Sequence, residues 1–223
     1  MGDGLPMVKI CGLTRNVDAR LADGLGADFL GVVLSSGFAR SVPPPTAAAV
    51  VASTTATRVA VLVDEHPPDA ARLGASIGAS VLQLHGSEDE SAVRALRDLG
   101  EWTLWKAVRA RSLDDIHRAV DRVGAAVEGL LIEGWKQGVV GGGGARLTLE
   151  PAAVRDAIPR GLTFVLAGGL TPDLVAAAVE GFDPGVVDVS SGVEVSAGRK
   201  DRRLMESFIR SVRGPTLRRD QRD

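Results

Sequence analysis

Eight short apolar runs recur along the chain, at residues 8–11, 29–34, 58–63, 80–84, 103–108, 129–133, 163–167 and 186–189. Their starts lie 21, 29, 22, 23, 26, 34 and 23 residues apart, about the length that a strand, a helix and two loops consume. The runs are near-continuously apolar rather than alternating, the pattern of strands buried on both faces of a parallel sheet. The intervals predict helices over 16–24, 45–53, 68–77, 90–99, 113–123, 151–158, 172–180 and 202–212. Several follow Asp, Ser, Thr or Pro start signals, and Thr14 and Asn16 form the expected cap region of the first. Eight β/α units repeating evenly to the C-terminus predict an α/β chain, a single (β/α)8 TIM barrel over residues 1–213. An open doubly wound sheet is the less favoured alternative. Residues 137–146, with glycines at 141–144, follow strand six and read as an active-site loop, and the charged stretch 214–223 reads as a frayed tail.

Composition narrows the function. The 223 residues carry 26 Lys+Arg against 28 Asp+Glu, a net charge of −2, so no global basic footprint favours nucleic acid or an anionic membrane. Aromatic residues make up only 4%, with no tyrosine, which argues against stacking platforms for single strands. One cysteine excludes an intrachain disulfide and any zinc site built from several cysteines. No run approaches the ~20 apolar residues of a membrane span, and residues 1–6 lack a basic region followed by an apolar stretch. A cytoplasmic protein is the expectation.

Barrels of this kind place their active site at the C-terminal ends of the strands, and here those ends are polar or glycine-rich. Strand one ends Lys9-Ile10-Cys11-Gly12, strand four Gln83-Leu84-His85-Gly86, strand six Glu133-Gly134, strand seven Gly168-Gly169, and strand eight Asp188-Val189-Ser190-Ser191-Gly192. The loop after strand two carries Arg40. Glycines after strands seven and eight let backbone N–H groups approach a phosphate, so Gly168, Gly169, Ser190, Ser191 and Gly192 form the expected phosphate site; ordinary tight turns would look the same. Cys11 reads either as an inert buried hydrophobe or as a base or nucleophile, with Lys9 on the same strand face as the cation that a thiolate needs. Glu133, at the end of an apolar run, is either a desolvated proton donor or a carboxylate turned to solvent. Arg40 suits a substrate carboxylate or phosphate, or is simply solvated. His85 reads as a rim residue. With only His66 near another strand end, no multi-histidine metal site is expected.

Four segments resemble phosphoribosylanthranilate isomerases of tryptophan biosynthesis: Lys9-Ile10-Cys11-Gly12-Leu13-Thr14, Leu82-Gln83-Leu84-His85-Gly86, Leu166-Ala167-Gly168-Gly169-Leu170-Thr171-Pro172, and Val187-Asp188-Val189-Ser190-Ser191-Gly192-Val193-Glu194 followed by Gly198-Arg199-Lys200-Asp201. They occur in that family's order and spacing over about residues 7 to 212. The resemblance implies a cofactor-free Amadori rearrangement of a phosphorylated aminoaldose, with Cys11 as general base and a strand-six carboxylate as general acid. Arg40 then faces the anthranilate carboxylate and Asp188 the anthranilate end, and Lys9, Gln83 and His85 join the substrate-binding set. Family members occur as monomers and homodimers.

Three departures flank the aromatic half. Glu133 stands where the family carries aspartate, Phe38-Ala39-Arg40 replaces a Ser-Pro-Arg-like loop, and glycines 141–144 followed by Leu147-Thr148-Leu149 replace a Gly-Gly-Thr-Gly run with Phe-Asp-Trp. They leave two alternatives: an isomerase for another phosphorylated aminoaldose, or a non-catalytic sugar-phosphate barrel. The related histidine-pathway isomerase uses two aspartates, and Cys11 argues against it.

Overall fold

Each apolar run becomes a strand because its residues face two apolar layers in turn. In the computed structural model, which describes residues 4–134 and 145–214, the strands are β1 (Met7–Ile10), β2 (Phe29–Val33), β3 (Thr57–Leu62), β4 (Val81–Leu84), β5 (Thr103–Ala110), β6 (Gly129–Gly134), β7 (Thr163–Leu166) and β8 (Val186–Val189). All pair in parallel with their sequence neighbours, and β8 returns to β1, so the sheet closes into a barrel. Around it lie α1 (Asn16–Gly24), α2 (Pro44–Val50), α3 (Pro67–Ser76), α4 (Glu90–Arg97), α5 (Leu113–Val123), α6 (Pro151–Ala157), α7 (Val175–Phe182) and α8 (Arg202–Arg213).

Side-chain parity divides the core. Val59, Val61, Val81, Trp105, Leu131, Val165 and Val186 fill the barrel, while Val8, Ile10, Leu30, Val32, Leu62, Leu82, Leu104 and Val187 pack outward against the helices. Phe29 and Trp105 meet edge to face inside, ring centroids 5.0 Å apart. The indole fits because Gly129 has no Cβ, which would stand 2.7 Å from Trp105 Cδ1. Helix α8 shows the outer layer's logic, burying Met205, Phe208, Ile209 and Val212 along one stripe. Asp89, Glu150 and Asp201 hold the N-termini of α4, α6 and α8 with side-chain caps, and at α5 the Asp115 carboxylate accepts from the Arg111 and Ser112 N–H groups.

Three features differ from the sequence expectation. Arg15 occupies the N-cap position of α1 without a side-chain cap, because Thr14 Oγ1 instead donates to the Gly198 carbonyl and the Asn16 amide to the carbonyls of Ala49, Val50 and Ala52. Helix α7 begins at Val175, after a turn in which the Leu174 and Val175 N–H groups donate to the Thr171 carbonyl. An antiparallel hairpin, β9 (Glu194–Ser196) with β10 (Arg199–Lys200), lies outside the barrel between β8 and α8. Most of the expected active-site loop, and all of the tail beyond residue 214, lie outside the described residues. Among the described residues no helix is long and apolar enough to cross a membrane.

Candidate active site

The parity that packs the barrel also fills its mouth. Continuing the inward-facing positions toward the C-terminal strand ends gives Lys9 on β1, Gln83 on β4, Arg109 on β5, Glu133 on β6 and Asp188 on β8. Polar side chains therefore replace the valines at that level. A cavity of about 260 Å³ opens there, lined among others by Cys11, Arg40, His85, Glu133, Gly169 and Ser190.

Cys11 follows β1 directly, its N–H donating to the Val189 carbonyl. Beneath it Lys9, with no exposed surface, ion-pairs with Asp188 Oδ2 at 3.0 Å. Gly31 makes this packing possible, since a Cβ there would stand 2.8 Å from Cys11 Sγ and 3.2 Å from Lys9 Cε. Burial opposes the Lys9 charge, but Asp188 and Cys11 outweigh it and hold the ammonium pKa above its usual value. Burial pushes the Cys11 thiol up; Lys9 pulls against this and Asp188 adds to it. The resting site thus holds a thiol whose thiolate form is favoured by the fixed positive charge of Lys9. Lys9, expected to bind substrate, instead sits behind Cys11 and Asp188.

The opposite wall is a chain of long polar side chains. Gln83 Nε2 lies 2.9 Å from His85 Nδ1, and His85 Nε2 lies 3.0 Å from Glu133 Oε1. Arg109 Nε stands 3.6 Å from the same oxygen, and its Nη2 donates to the His85 carbonyl. Glu133 is buried yet lines the cavity, so its carboxylate is turned to the cavity rather than to the outer surface. Arg109 belongs to this wall although the sequence did not single it out; its position two residues after Ala107, on the inward face, was the available signal. Lys106 faces outward and is taken up by the Leu84 and Gly86 carbonyls and by Glu88.

The β7–β8 wall is made of small residues. Gly168 and Gly169 have φ of 85° and 63°, a left-handed conformation that disfavours other residues. A Cβ on Gly168 would also run into the Ala145 carbonyl and stand 3.1 Å from Glu133 Cβ, so this glycine makes room for the β6 carboxylate as well. A Cβ on Gly192 would run into the Leu170 carbonyl. A short 3-10 helix, Ser191–Val193, starts after Ser190, in the place where barrels bind phosphate. Arg40 comes from the β2 loop and lines the cavity, held bidentately by Glu194 through Nε at 2.9 Å and Nη2 at 2.6 Å.

Buried polar atoms are normally paired. Among the described residues the exceptions are Lys9 Nζ, which has its ion-pair partner, and Gln83 Oε1, Asp188 Oδ1 and Ser190 Oγ. The last three belong to residues lining the cavity, two as acceptors and one as a donor, a set that a polyhydroxylated anion can complete. No group of three or more His, Cys, Asp or Glu among the described residues could hold a metal ion.

The same chain matches known proteins over nearly its whole length. The family model for N-(5'-phosphoribosyl)anthranilate isomerase matches residues 8–211. An N-(5'-phosphoribosyl)anthranilate isomerase of Chromohalobacter salexigens is 38% identical over 208 residues, 92% of this chain and 93% of the relative. The crystal structure of phosphoribosyl anthranilate isomerase from Thermotoga maritima superposes with a TM-score of 0.82 at 29% identity, covering 93% of this chain and 98% of the other. A further isomerase structure, in complex with reduced 1-(o-carboxyphenylamino)-1-deoxyribulose 5-phosphate, has a TM-score of 0.79 at 28% identity, covering 93% and 98%. With the cysteine, the strand-six carboxylate and the glycine-rich wall gathered at one barrel mouth, this chain belongs to the N-(5'-phosphoribosyl)anthranilate isomerase family.

Proposed function

We propose that the chain isomerises N-(5-phosphoribosyl)anthranilate to 1-(2-carboxyphenylamino)-1-deoxyribulose 5-phosphate. The observation that carries this reading is a base candidate, Cys11, and an acid candidate, Glu133, lining one cavity with a glycine-walled anion cradle beside them. In the first step the Glu133 carboxylic acid donates its proton to the furanose ring oxygen. The C1–O bond breaks, the electron pair of the amine nitrogen forms the Schiff base, and the proton ends on the C4 hydroxyl. The Cys11 thiolate then removes the C2 proton, giving the enolamine. Tautomerisation moves a proton from the C2 hydroxyl to C1 and leaves the ketone, and exchange with solvent then returns Cys11 to the thiolate and Glu133 to the acid. No electron is exchanged with an external partner. Positioned acid–base groups contribute about 10²–10⁴-fold each to such steps.

The phosphate takes the Gly169 and Ser190–Gly192 side, and the anthranilate carboxylate takes Arg40. Asp188 Oδ1 and Gln83 Oε1, left unpaired, accept from the sugar hydroxyls or the amine. The longer Glu133 serves in place of aspartate because His85 and Arg109 hold its carboxylate. The test is the product itself, made from substrate deuterated at C2. NMR is expected to show a C2 carbonyl, loss of the deuterium and a primary isotope effect on turnover. Unchanged substrate, or a product that keeps deuterium at C2, would overturn the reading.

A further inference from the structure

The hairpin outside the barrel holds two charged groups, Glu194 and Lys200, that the reaction scheme leaves without a role. Glu194 and Lys200 are buried, with side-chain exposures of 4% and 0%, and they meet Arg40, which is 13% exposed. Lys200 Nζ donates to the Cys11 carbonyl, to the Ser190 carbonyl at 3.1 Å and to Glu194 Oε1 at 2.7 Å. An ammonium has three donors, so Lys200 has none left for a ligand. Arg40 differs. A guanidinium has five N–H groups, and Glu194 takes the Nε–Nη2 edge. That leaves three N–H groups, including the Nη1–Nη2 edge that can grip a second carboxylate bidentately. The three groups sum to one positive charge, carried by the member that lines the cavity. Burial pushes the Glu194 carboxyl up, but the hydrogen bonds from Arg40 and Lys200 outweigh it and keep it ionised. Gly12, at φ 69°, leaves the room that the Arg40 side chain and Ser190 Oγ occupy beside β1.

Resting on the function proposed above, we infer that Glu194 and Lys200 are positioning residues. They aim the open edge of Arg40 at the substrate's carboxylate and tie that aim to the backbone of the base and of the phosphate loop. Lys200 is the tie, because its ammonium holds the carbonyls of Cys11 and Ser190 together with Glu194.

A double-mutant cycle read by calorimetry tests this with two probes, reduced 1-(o-carboxyphenylamino)-1-deoxyribulose 5-phosphate and ribose 5-phosphate. Only the first carries the carboxylate. Glu194→Gln, which keeps the side chain's shape, is expected to weaken the first probe about 10-fold or more and the second less than about twofold. In an Arg40→Met background the same change is expected to have no further effect. An equal loss in that background, or an equal loss for both probes, would overturn the inference. Lys200→Met is expected to weaken both probes, since it also frees the Ser190 carbonyl, and unchanged affinities would count against its role as the tie. Should Lys200→Met fail to fold, the Glu194→Gln cycle still decides. Analogue binding with a coupled cycle but no turnover by the wild type would remove the proposed function and leave the positioning role. Turnover with an additive cycle would do the reverse.

Discussion

The two sides of the barrel mouth are built by different means. The β7–β8 side is backbone and small residues: Gly168 and Gly169 in left-handed conformations, and Gly192 against the Leu170 carbonyl. The β4–β6 side is long side chains that hold one another: Gln83, His85, Glu133 and Arg109. A backbone cradle tolerates almost no change in residue type, because an added Cβ has nowhere to go. A side-chain wall tolerates exchange so long as the reacting atom is held. The strand-six position illustrates this, with glutamate in place of aspartate and its carboxylate caught between a histidine and an arginine.

Because the side-chain wall carries the candidate acid, the largest effects on turnover are expected there, where a change displaces the reacting atom. Glu133→Gln is expected to lower kcat by about 10²–10⁴-fold. Glu133→Asp draws the carboxylate back by one methylene from His85 and Arg109 and is expected to cost on the order of 10²-fold, although it restores the family's residue. Steady-state kinetics check both, and an Asp variant as fast as the wild type would break the claim that this wall is built for glutamate. Next comes the pair under the base. Lys9→Met leaves Asp188 buried without its ammonium and is expected to lower stability by about 3–5 kcal/mol in urea unfolding. On the cradle side, Gly192→Ala overpacks against Leu170 and is expected to cost about 1–3 kcal/mol of stability, together with a weaker affinity for inorganic phosphate by calorimetry. A stable variant with unchanged phosphate affinity would show that the cradle is not as rigid as its geometry implies. The mildest test is titration. Because burial pushes the Cys11 thiol up and only the thiolate is nucleophilic, the rate of Cys11 alkylation by iodoacetamide should rise about tenfold per pH unit. Its plateau should lie above the usual thiol value of about 8.5. A limb below that value would mean that Lys9 outweighs burial.

The same contrast decides what could be read from the sequence. The barrel was legible because strand parity and spacing are local properties, and the cradle was legible because glycine pairs and Ser-Ser-Gly are contiguous. Cys11 and Glu133 were legible as strand-end residues. Their partners were not. Arg109 and Glu133 stand side by side only through the β5–β6 register, and Arg40 and Glu194 are 154 residues apart. The β9–β10 hairpin escaped because its strands are two and three residues long and carry no apolar periodicity. Local propensity favours Thr14 and Asn16 as caps, whereas tertiary carbonyls take their side chains. Parity gives Lys9 a face and not a depth, so its burial behind Cys11 and Asp188 is not legible locally.

The central claim is that Cys11, set over the Lys9–Asp188 pair, removes the proton from C2 of phosphoribosylanthranilate. Its most direct test is turnover of freshly prepared substrate, followed by loss of anthranilate fluorescence, for the wild type beside Cys11→Ala. The account predicts turnover by the wild type and a loss of about 10²–10⁴-fold in the variant, with unchanged binding of ribose 5-phosphate. Equal turnover by both proteins would contradict it.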